Sequence, residues 1–376
     1  MYKLIDDYID KLITSKPDLP LWNIEAIRSG KKPAWNYVDG CMMTSLLELY
    51  KETKEQKYFD FVKKFVDYYV FDDGTIRGYN PDKHSTDDIC ESRILFDLYQ
   101  MTGEEKYSKA IELTYSQIKT QPRTKEGNFW HKAIYPNQVW LDGLYMAQPF
   151  YVRYETIRNK MQNYNDIFNQ IKNVRKYMFD EKKHLYYHGY DSEKKMFWAD
   201  PQTGLSKNFW LRSIGWFTVA LADICDYMDE QMYDEYHYTA SLLKEVIDGL
   251  LQYQDKESKM FYQVPDQIGR EGNYLETSGS VMIAYAALKG ARLGILPPRY
   301  KQIGLDIFNG VCKKYLSNKD GELNLGGICL VAGLGPDDNR RRDGSYEYYI
   351  SEPVVENDAK GVGPFIMAYT EVKRTL

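Results

Sequence analysis

Hydrophobic residues recur along the chain at the three- and four-residue spacing of helices, and two kinds of segment alternate. Segments of the first kind are apolar on nearly every side, which predicts helices packed on both faces. They span 39–52, 87–101, 138–154, 207–228, 275–293 and 361–373. Segments of the second kind keep one charged face, which predicts helices with one side in solvent. They span 2–14, 57–70, 104–119, 163–178, 233–253 and 298–315.

A short repeat indicates that these helices come in pairs. The Leu-Tyr, Thr and Lys-Tyr positions of segment 49–58 recur at the same spacing in 98–107, and each copy ends one helix and begins the next. Six apolar helices alternating with six charged ones predict an all-α (α/α)6 barrel with six inner and six outer helices. The helix at 2–14 then packs beside the C-terminal helix and closes the ring. No linker rich in Ser, Gly or Pro divides the sequence, so residues 1–376 are predicted to form a single domain.

The long connections contain short segments with the composition of β-strands. Residues 184–190 and 260–264 are rich in aromatic side chains, which strands favour. We expect both segments to form short β-hairpins over one face of the barrel.

Composition excludes several classes of partner. The net charge of −5 offers no basic patch for nucleic acid, and no apolar stretch is long enough to cross a membrane. The five Cys and five His are dispersed without disulfide or metal-ligand spacing, so no metal site is expected. The acidic, amphipathic N-terminus lacks the features of a secretory signal, so the cytoplasm is the expected location unless an export signal has been trimmed.

The entrances to the inner helices hold the unusual residues. The aromatic content is high, with 34 Tyr and 7 Trp, and such rings suit sugars as well as hydrophobic cores. Aromatic and polar residues enter the inner helices at 35–39, 84–88, 130–131, 209–216, 273–279 and 351–358. Because all inner helices of such a barrel run in the same direction, these entrances converge on one mouth. The helix N-termini there favour an anionic substrate.

Asp142 is the one carboxylate in the apolar run 138–150. A buried carboxylate is costly unless it is hydrogen-bonded, paired or used, so Asp142 is the first candidate for acid–base chemistry. The alternative is a helix N-terminal charge that faces the macrodipole. Trp130, His131 and Lys132 lie just upstream, and aromatic and polar groups beside a proton donor suggest a carbohydrate site. We expect burial and the charge of Asp87 to raise the pKa of Asp142.

Several strings resemble the unsaturated rhamnogalacturonyl hydrolases of glycoside hydrolase family 105, relatives of the unsaturated glucuronyl hydrolases. The resemblance runs along nearly the whole chain. Its most specific strings are 122–132, 140–146 and 198–206, and the strings 209–212, 275–280 and 351–353 add to them. It implies an (α/α)6 barrel without a metal or organic cofactor.

The resemblance also implies a reaction other than ordinary glycoside hydrolysis. Polysaccharide lyases leave a 4,5-unsaturated uronic acid at the non-reducing end of each fragment, and the family hydrates that enol ether. An acid protonates C4, water adds at C5, and the hemiketal opens and releases the neighbouring sugar. The implied substrate is an unsaturated uronyl oligosaccharide, with unsaturated galacturonyl-rhamnose from rhamnogalacturonan as the expected example. One Asp can act first as acid and then as base, so the two-carboxylate scheme need not apply.

The same resemblance assigns roles to individual residues. Asp142 matches the general acid/base, and Asp87 matches an Asp that holds the sugar and assists the proton transfer. Substrate contacts are implied at or beside Tyr37, Asp88, His131, His188, Trp210, Arg212 and Trp216. Relatives usually read Asp-Asn-Ile-Asn-Pro-Gly where this chain reads Asp-Asp-Ile-Cys-Glu-Ser at 87–92, which changes the local geometry.

Most of these residues also have a structural interpretation. His188 could lie in a surface strand, and both Trp210 and Trp216 could belong to the core. Arg212 could pair with a structural Glu, although an Arg beside two Trp would bind a uronate carboxylate through two parallel hydrogen bonds. Two further carboxylates are more typical of helix caps or braces than of catalysis: Glu276 and Glu352.

The sequence leaves two other functions open. An inverting glycosidase or a polysaccharide lyase could use the same scaffold, and the glycosidase would need a second carboxylate about 6.5–9.5 Å from the first. A toroid that binds sugars without catalysis is the third possibility.

Overall fold

The computed structural model describes residues 1–319 and 321–375 of the chain. Within these ranges all twelve predicted helices are present and form the predicted (α/α)6 barrel. The inner helices, numbered 1 to 6 in chain order, are Tyr37–Thr53, Thr86–Cys90 continued by Ile94–Thr102, Leu141–Ile157, Leu211–Tyr227, Thr277–Arg292 and Ala359–Lys373. The outer helices, numbered likewise, are Tyr2–Leu12, Gln56–Tyr69, Glu105–Thr120, Tyr164–Met178, Tyr233–Leu251 and Arg299–Tyr315.

Burial follows the polarity of each helix. Inner helix 4 is buried at every position from Leu211 to Cys225. Outer helix 1 buries one face, through Ile5, Tyr8, Ile9 and Leu12. One large apolar core lies between and within the two layers of helices, and its removal from water provides the main driving force for this arrangement.

Outer helix 1 closes the ring as predicted. The Tyr369 hydroxyl of inner helix 6 donates a hydrogen bond to Asp6 Oδ1 at 2.9 Å. On the other side, Lys57 of outer helix 2 pairs with Asp10 at 2.7 Å. The first and last helices of the chain are therefore neighbours in the barrel.

Two inner helices depart from the predicted bounds. The second is interrupted by a 3-10 turn at Glu91–Arg93, where inner helix 1 comes so close that a Cβ on Gly40 would lie 2.7 Å from Glu91 Cα. A 3-10 turn is narrower than an α-helix and fits this close approach. The third begins at Leu141 and not at 138, because Gln138–Trp140 is a strand paired with Gly189–Asp191.

The remaining elements lie in the connections. Both predicted strand segments contain strands, since Leu185–Tyr186 pairs with Phe179–Asp180 and Phe261–Tyr262 pairs with Leu275–Glu276. Two more pairs join Leu316–Lys319 to Glu322–Leu325 and Ile328–Cys329 to Val354–Val355. The short helices are Ile24–Ser29, Pro81–Lys83 (3-10) and Tyr346–Ser351.

Side-chain caps fix where some inner helices begin. Asn36 Oδ1 accepts from the Val38 N–H at the start of inner helix 1. Glu276 accepts from the N–H groups of Ser278 and Gly279 at the start of inner helix 5, so its interpretation as a cap is confirmed. Glu352 pairs with Arg341 at 2.6 Å and braces the preceding loop. Such caps satisfy backbone donors that the helix itself leaves free.

Buried ion pairs join the C-terminal ends of the inner helices, at the end of the barrel opposite the mouth. Lys51 of helix 1 pairs with Asp97 of helix 2 at 2.9 Å. Arg153 of helix 3 binds the same Asp97 with two nitrogens, at 2.7 and 3.2 Å. The Arg153 guanidinium also lies 4.7 Å from the ring centroid of Tyr227 in helix 4.

The pairing continues around the other half of the barrel. Asp223 of helix 4 pairs with Lys289 of helix 5 at 2.8 Å. Glu371 of helix 6 pairs with Arg292 of helix 5 at 2.7 Å and with Arg374 at the same distance. Arg374 then reaches Glu48 of helix 1 at 3.1 Å. We call this set of charged side chains, together with Tyr227, the base ring.

Across the ranges 1–319 and 321–375, the structure contains no helix with the length and apolar character needed to cross a membrane.

Candidate active site

Asp142 lies in the first turn of inner helix 3, at the mouth of the barrel. Its carboxylate is buried, and Oδ2 lies 3.4 Å from His188 Nε2. At this separation the two atoms make no well-formed hydrogen bond to each other, and neither has another hydrogen-bond partner in the described part of the chain. A buried carboxylate oxygen and a buried imidazole nitrogen are therefore both available to a further polar group.

His188 is held by Tyr349 on the side of the ring that faces away from Asp142. It follows strand Leu185–Tyr186 and is completely buried, so the surface interpretation is wrong. Its Nδ1 lies 2.7 Å from the Tyr349 hydroxyl. Because Nδ1 is engaged by Tyr349, Nε2 is the nitrogen that faces Asp142.

His131 and Lys132 surround Asp87 on the neighbouring entrance. Lys132 Nζ forms a tight ion pair with Asp87 Oδ2, and His131 Nε2 lies 3.5 Å from Asp87 Oδ1. The loop is fixed by backbone bonds, since the Thr86 N–H donates to the His131 carbonyl and the His131 N–H donates to the Gln138 carbonyl. Asp87 is thus neutralised by a cation within the site.

The electrostatics of Asp142 differ from the sequence-based expectation. Burial raises the pKa of Asp142, but His188 and His131 lower it more, so the net pKa lies below the ordinary value of 3.8. The expected influence of Asp87 is absent because Lys132 neutralises that carboxylate. The pKa of His131 is lowered to about 4, mainly by burial and also by Lys132, against the opposing effect of Asp87. The expectation that Asp142 has a raised pKa is wrong for the substrate-free protein.

Asp88 lies in a different electrostatic environment from Asp87. Burial and the adjacent Asp87 charge raise the pKa of Asp88 to about 7, against the lowering effects of Lys132 and Lys83. No hydrogen bond or ion pair joins Asp88 to Asp142 or His188 in the described residues. Asp87 therefore belongs to the site through its contacts with His131 and Lys132. Asp88 forms no ion pair with either residue in the described part of the chain.

The residues that replace the usual family pattern after Asp88 bind the entrance of inner helix 1. Glu91 is buried and accepts from the Asn36 N–H at 2.9 Å. Ser92 Oγ accepts from Trp35 Nε1 at 3.3 Å. These bonds fix the two residues that precede Tyr37.

Trp210 and Arg212 form a second wall of the site. The Trp210 ring lies 4.8 Å from that of His188 and 4.8 Å from the Arg212 guanidinium. Arg212 Nη1 donates to the Cys329 carbonyl and Nη2 to the Leu330 carbonyl. Arg212 is buried and forms no ion pair with any described carboxylate, so the alternative of a structural Glu partner is wrong.

Tyr37 and Trp216 contact each other at the entrances of inner helices 1 and 4. Their rings meet edge to face at 6.2 Å, and Trp216 stacks on Tyr145 at 4.3 Å. Trp216 is fully buried, as the core interpretation predicts. Tyr37 is only partly buried and stands at the entrance of inner helix 1, so it is the member of this pair nearer to a substrate in the mouth.

Three functional candidates were not predicted as site residues, although two of them lie in the family string 140–146. Tyr349, which orients His188, lies in a segment with no predicted element. Trp140 stacks on His131 at 4.4 Å and meets the edge of His188 at 5.5 Å. Gly143 follows Asp142, and a Cβ there would lie 3.1 Å from His131 Nδ1. A glycine directly after the buried Asp is the one signal that the sequence offered for this close contact.

Within residues 1–319 and 321–375, no three His, Cys, Asp or Glu side chains gather as ligands for a metal ion. The polar groups of the site are instead two carboxylates, two imidazoles, a lysine and a guanidinium, beside indole rings. This set can donate and accept protons, bind an anion and stack on a sugar ring.

Known proteins share both the sequence and the fold. The sequence model of Glycosyl Hydrolase Family 88 matches residues 6–376. A solved family 105 glycoside hydrolase from C. acetobutylicum ATCC 824 is 41% identical, with a TM-score of 0.90, over 100% of this chain and 99% of that one. Protein Atu3128 of Agrobacterium fabrum is 36% identical over 234 residues, 60% of this chain and 97% of that protein. The unsaturated rhamnogalacturonyl hydrolase YesR of Bacillus subtilis is 26% identical over 266 residues, 69% of this chain and 72% of that protein.

These similarities confirm the resemblance first seen in the sequence strings. The family match extends over nearly the whole chain, and the related solved structure matches it from end to end. The chain therefore belongs to glycoside hydrolase family 105, within the wider group that the family 88 model describes.

Proposed function

We propose that this chain is a hydrolase of unsaturated uronyl oligosaccharides. It removes the 4,5-unsaturated uronic acid from the non-reducing end, with unsaturated galacturonyl-rhamnose from rhamnogalacturonan as its substrate. The observation that carries the proposal is the Asp142–His188 pair, a buried carboxylate and imidazole with unpartnered atoms at the barrel mouth. The relative named as an unsaturated rhamnogalacturonyl hydrolase supports the choice of substrate.

The pair can hold the proton that the reaction needs. With His188 protonated, Nδ1–H donates to Tyr349 and Nε2–H faces Asp142, which remains a carboxylate in accord with its lowered pKa. Transfer of the Nε2 proton to Oδ2 produces the neutral acid next to the substrate. The uronate carboxylate favours the neutral acid form of Asp142, because a second negative charge nearby raises the pKa of Asp142.

Hydration then proceeds in two proton-balanced steps. Asp142 gives its proton to C4, and the positive charge that develops at C5 is shared with the ring oxygen. The Asp142 carboxylate next takes a proton from the water that attacks C5, so the acid is restored. The C5 hemiketal opens to a ketone, and the hemiacetal left at C1 collapses and expels the neighbouring sugar. Asp87, held by Lys132 and His131, positions the sugar hydroxyls.

Ultraviolet absorbance of the conjugated enol ether tests the proposal. The wild-type protein should erase the absorbance of an unsaturated galacturonyl-rhamnose disaccharide and release rhamnose. Asp142→Asn should lower kcat by about 10²–10⁴-fold, the usual range for a positioned proton donor. Asp234→Asn, an exposed carboxylate in the first turn of outer helix 5, is the matched control and should retain full activity.

Other outcomes identify the competing functions. A rise in absorbance from intact polysaccharide would indicate a lyase, and unchanged absorbance with measurable binding would indicate a non-catalytic toroid. Cleavage of saturated glycosides would indicate an inverting glycosidase. Near-normal turnover by folded Asp142→Asn would remove Asp142 from the mechanism.

A further inference from the structure

A cleft of about 450 Å³ opens beside the mouth of the barrel. Its walls are the short helix Ile24–Ser29, the loop that leads from it to inner helix 1, and Leu330. Gly30, with φ of +70°, ends the short helix and turns the chain into this loop. The turn leaves Arg28, Lys31 and Lys32 on the lining of one cleft.

The cleft borders the candidate active site. The Leu330 carbonyl on its wall accepts from Arg212 Nη2 at 3.4 Å. Asn36, also on its wall, immediately precedes Tyr37. The charges of Arg212 and Arg342 contribute to lowering the pKa of Glu25, another lining residue, against the raising effect of burial. A ligand that extends out of the site past Arg212 would enter this cleft.

The cleft carries an excess of positive charge on a chain whose net charge is −5. Arg28, Lys31 and Lys32 are exposed and form no ion pair with any carboxylate in the described residues. The one lining carboxylate, Glu25, is already paired with Lys360 at 2.8 Å. An anion in the cleft would therefore meet three cations that have no carboxylate partner in residues 1–319 and 321–375.

We propose that this cleft binds an anionic group on the part of the substrate that leaves, so that the enzyme prefers unsaturated oligosaccharides whose remaining sugars are acidic. The proposal rests on the proposed function, since it assumes that the unsaturated uronate occupies the site beside Arg212. The anionic group is a uronate carboxylate or a sulfate ester, because both bind Lys and Arg in the same way.

Matched substrates and variants test the cleft. The substrates are an unsaturated disaccharide with a neutral leaving sugar, an unsaturated tetrasaccharide with a second uronate, its counterpart with that uronate reduced to the alcohol, and a disaccharide with a sulfated leaving sugar. The variant is Lys31→Gln/Lys32→Gln. The control is Lys301→Gln/Lys313→Gln, which removes two exposed, unpaired lysines from outer helix 6.

The double variant should lower kcat/KM for the acidic substrates by about 2–30-fold, the range for two exposed charge pairs. It should leave the neutral disaccharide and the reduced tetrasaccharide unchanged, and salt should weaken the effect. If kcat/KM falls for only one of the two acidic substrates, the anion of that substrate, carboxylate or sulfate, is the one that the cleft binds. Equal loss with neutral and acidic substrates, or no loss with either acidic one, overturns the cleft proposal while the proposed function stands. If the wild-type protein erases the absorbance of none of the substrates, both proposals fail.

Discussion

Arg212 offers the sharpest test of uronate recognition. The guanidinium is buried, and Nη1 and one Nη2 hydrogen bind the carbonyls of Cys329 and Leu330. Its Nε has no acceptor among the described residues. The Nε–H and the neighbouring Nη2–H form one edge of the guanidinium, and the Nε–H on this edge is unused. This edge is the one that binds a carboxylate through two parallel hydrogen bonds.

The expected loss follows from those two donors. A hydrogen bond to a charged group contributes about 1.5–3 kcal/mol, so loss of one effective bond in Arg212→Ala lowers kcat/KM by about 10–150-fold. Arg212→Lys should recover only part of this loss, because an ammonium cannot present the planar edge. The backbone contacts to Cys329 and Leu330 predict some loss of stability as well.

The assay compares the unsaturated uronate with its methyl ester. The ester should be a poor substrate for the wild-type protein and should lose little more in Arg212→Ala, so that the two changes are not additive. Ser278→Ala provides the control, since it removes a 3.4 Å contact to Nη1 and a 2.7 Å hydrogen bond to Glu276 but no donor to the substrate, and it should affect acid and ester alike. Melting temperatures of all variants separate a folding defect from a binding defect.

Equal turnover of acid and ester by the wild-type protein would refute the reasoning. So would an equal loss for both substrates in Arg212→Ala, because that result assigns Arg212 to the support of the 329–330 loop alone.

Two further predictions concern stability. Burial raises the pKa of Asp39 to about 7, so its protonation stabilises the fold fully below about pH 4, and this contribution is lost as pH rises through 7. Asp39→Asn keeps an acceptor for Trp22 Nε1. Urea denaturation should show that it raises the free energy of unfolding by about 4 kcal/mol at pH 8 and by little at pH 4. An equal gain at both pH values would contradict this prediction. Arg153→Met leaves Asp97 with Lys51 alone and should cost about 3 kcal/mol at pH 7. Burial raises the pKa of Asp97, but Arg153 and Lys51 lower it to about 2, so the stability it provides is lost as pH falls from about 4 through 2, and the variant should unfold at a higher pH on acid titration than the wild type.

The alternation of apolar and charged helices was sufficient to predict the barrel. Helix polarity is a property of the local sequence, and Leu211 to Cys225 is mostly apolar because every position in it is buried. The predicted helix bounds were wrong where tertiary contacts determine the residue at which a helix begins. Gln138–Trp140 is strand because Gly189–Asp191 pairs with it, and no periodicity in 138–154 reveals a partner fifty residues away.

The sequence indicated which residues lie at the candidate site, but it did not indicate how neighbouring charges shift their pKa values. Asp142, His188 and Asp87 meet at the mouth as expected. The pKa of Asp142 depends on which neighbours face it, and the sequence does not show that Lys132 neutralises Asp87. The role of Tyr349 depends on a contact across 161 positions of sequence, which no local pattern contains.

The base ring determines how a polysaccharide can meet this protein. Its side chains are mostly buried and link the inner helices at the end of the barrel opposite the mouth. A polysaccharide chain that entered at the mouth would meet these ion pairs at the other end of the barrel. Under the proposed function we therefore expect end-on attack, one terminal residue at a time, and activity on long polymers in proportion to the number of their ends.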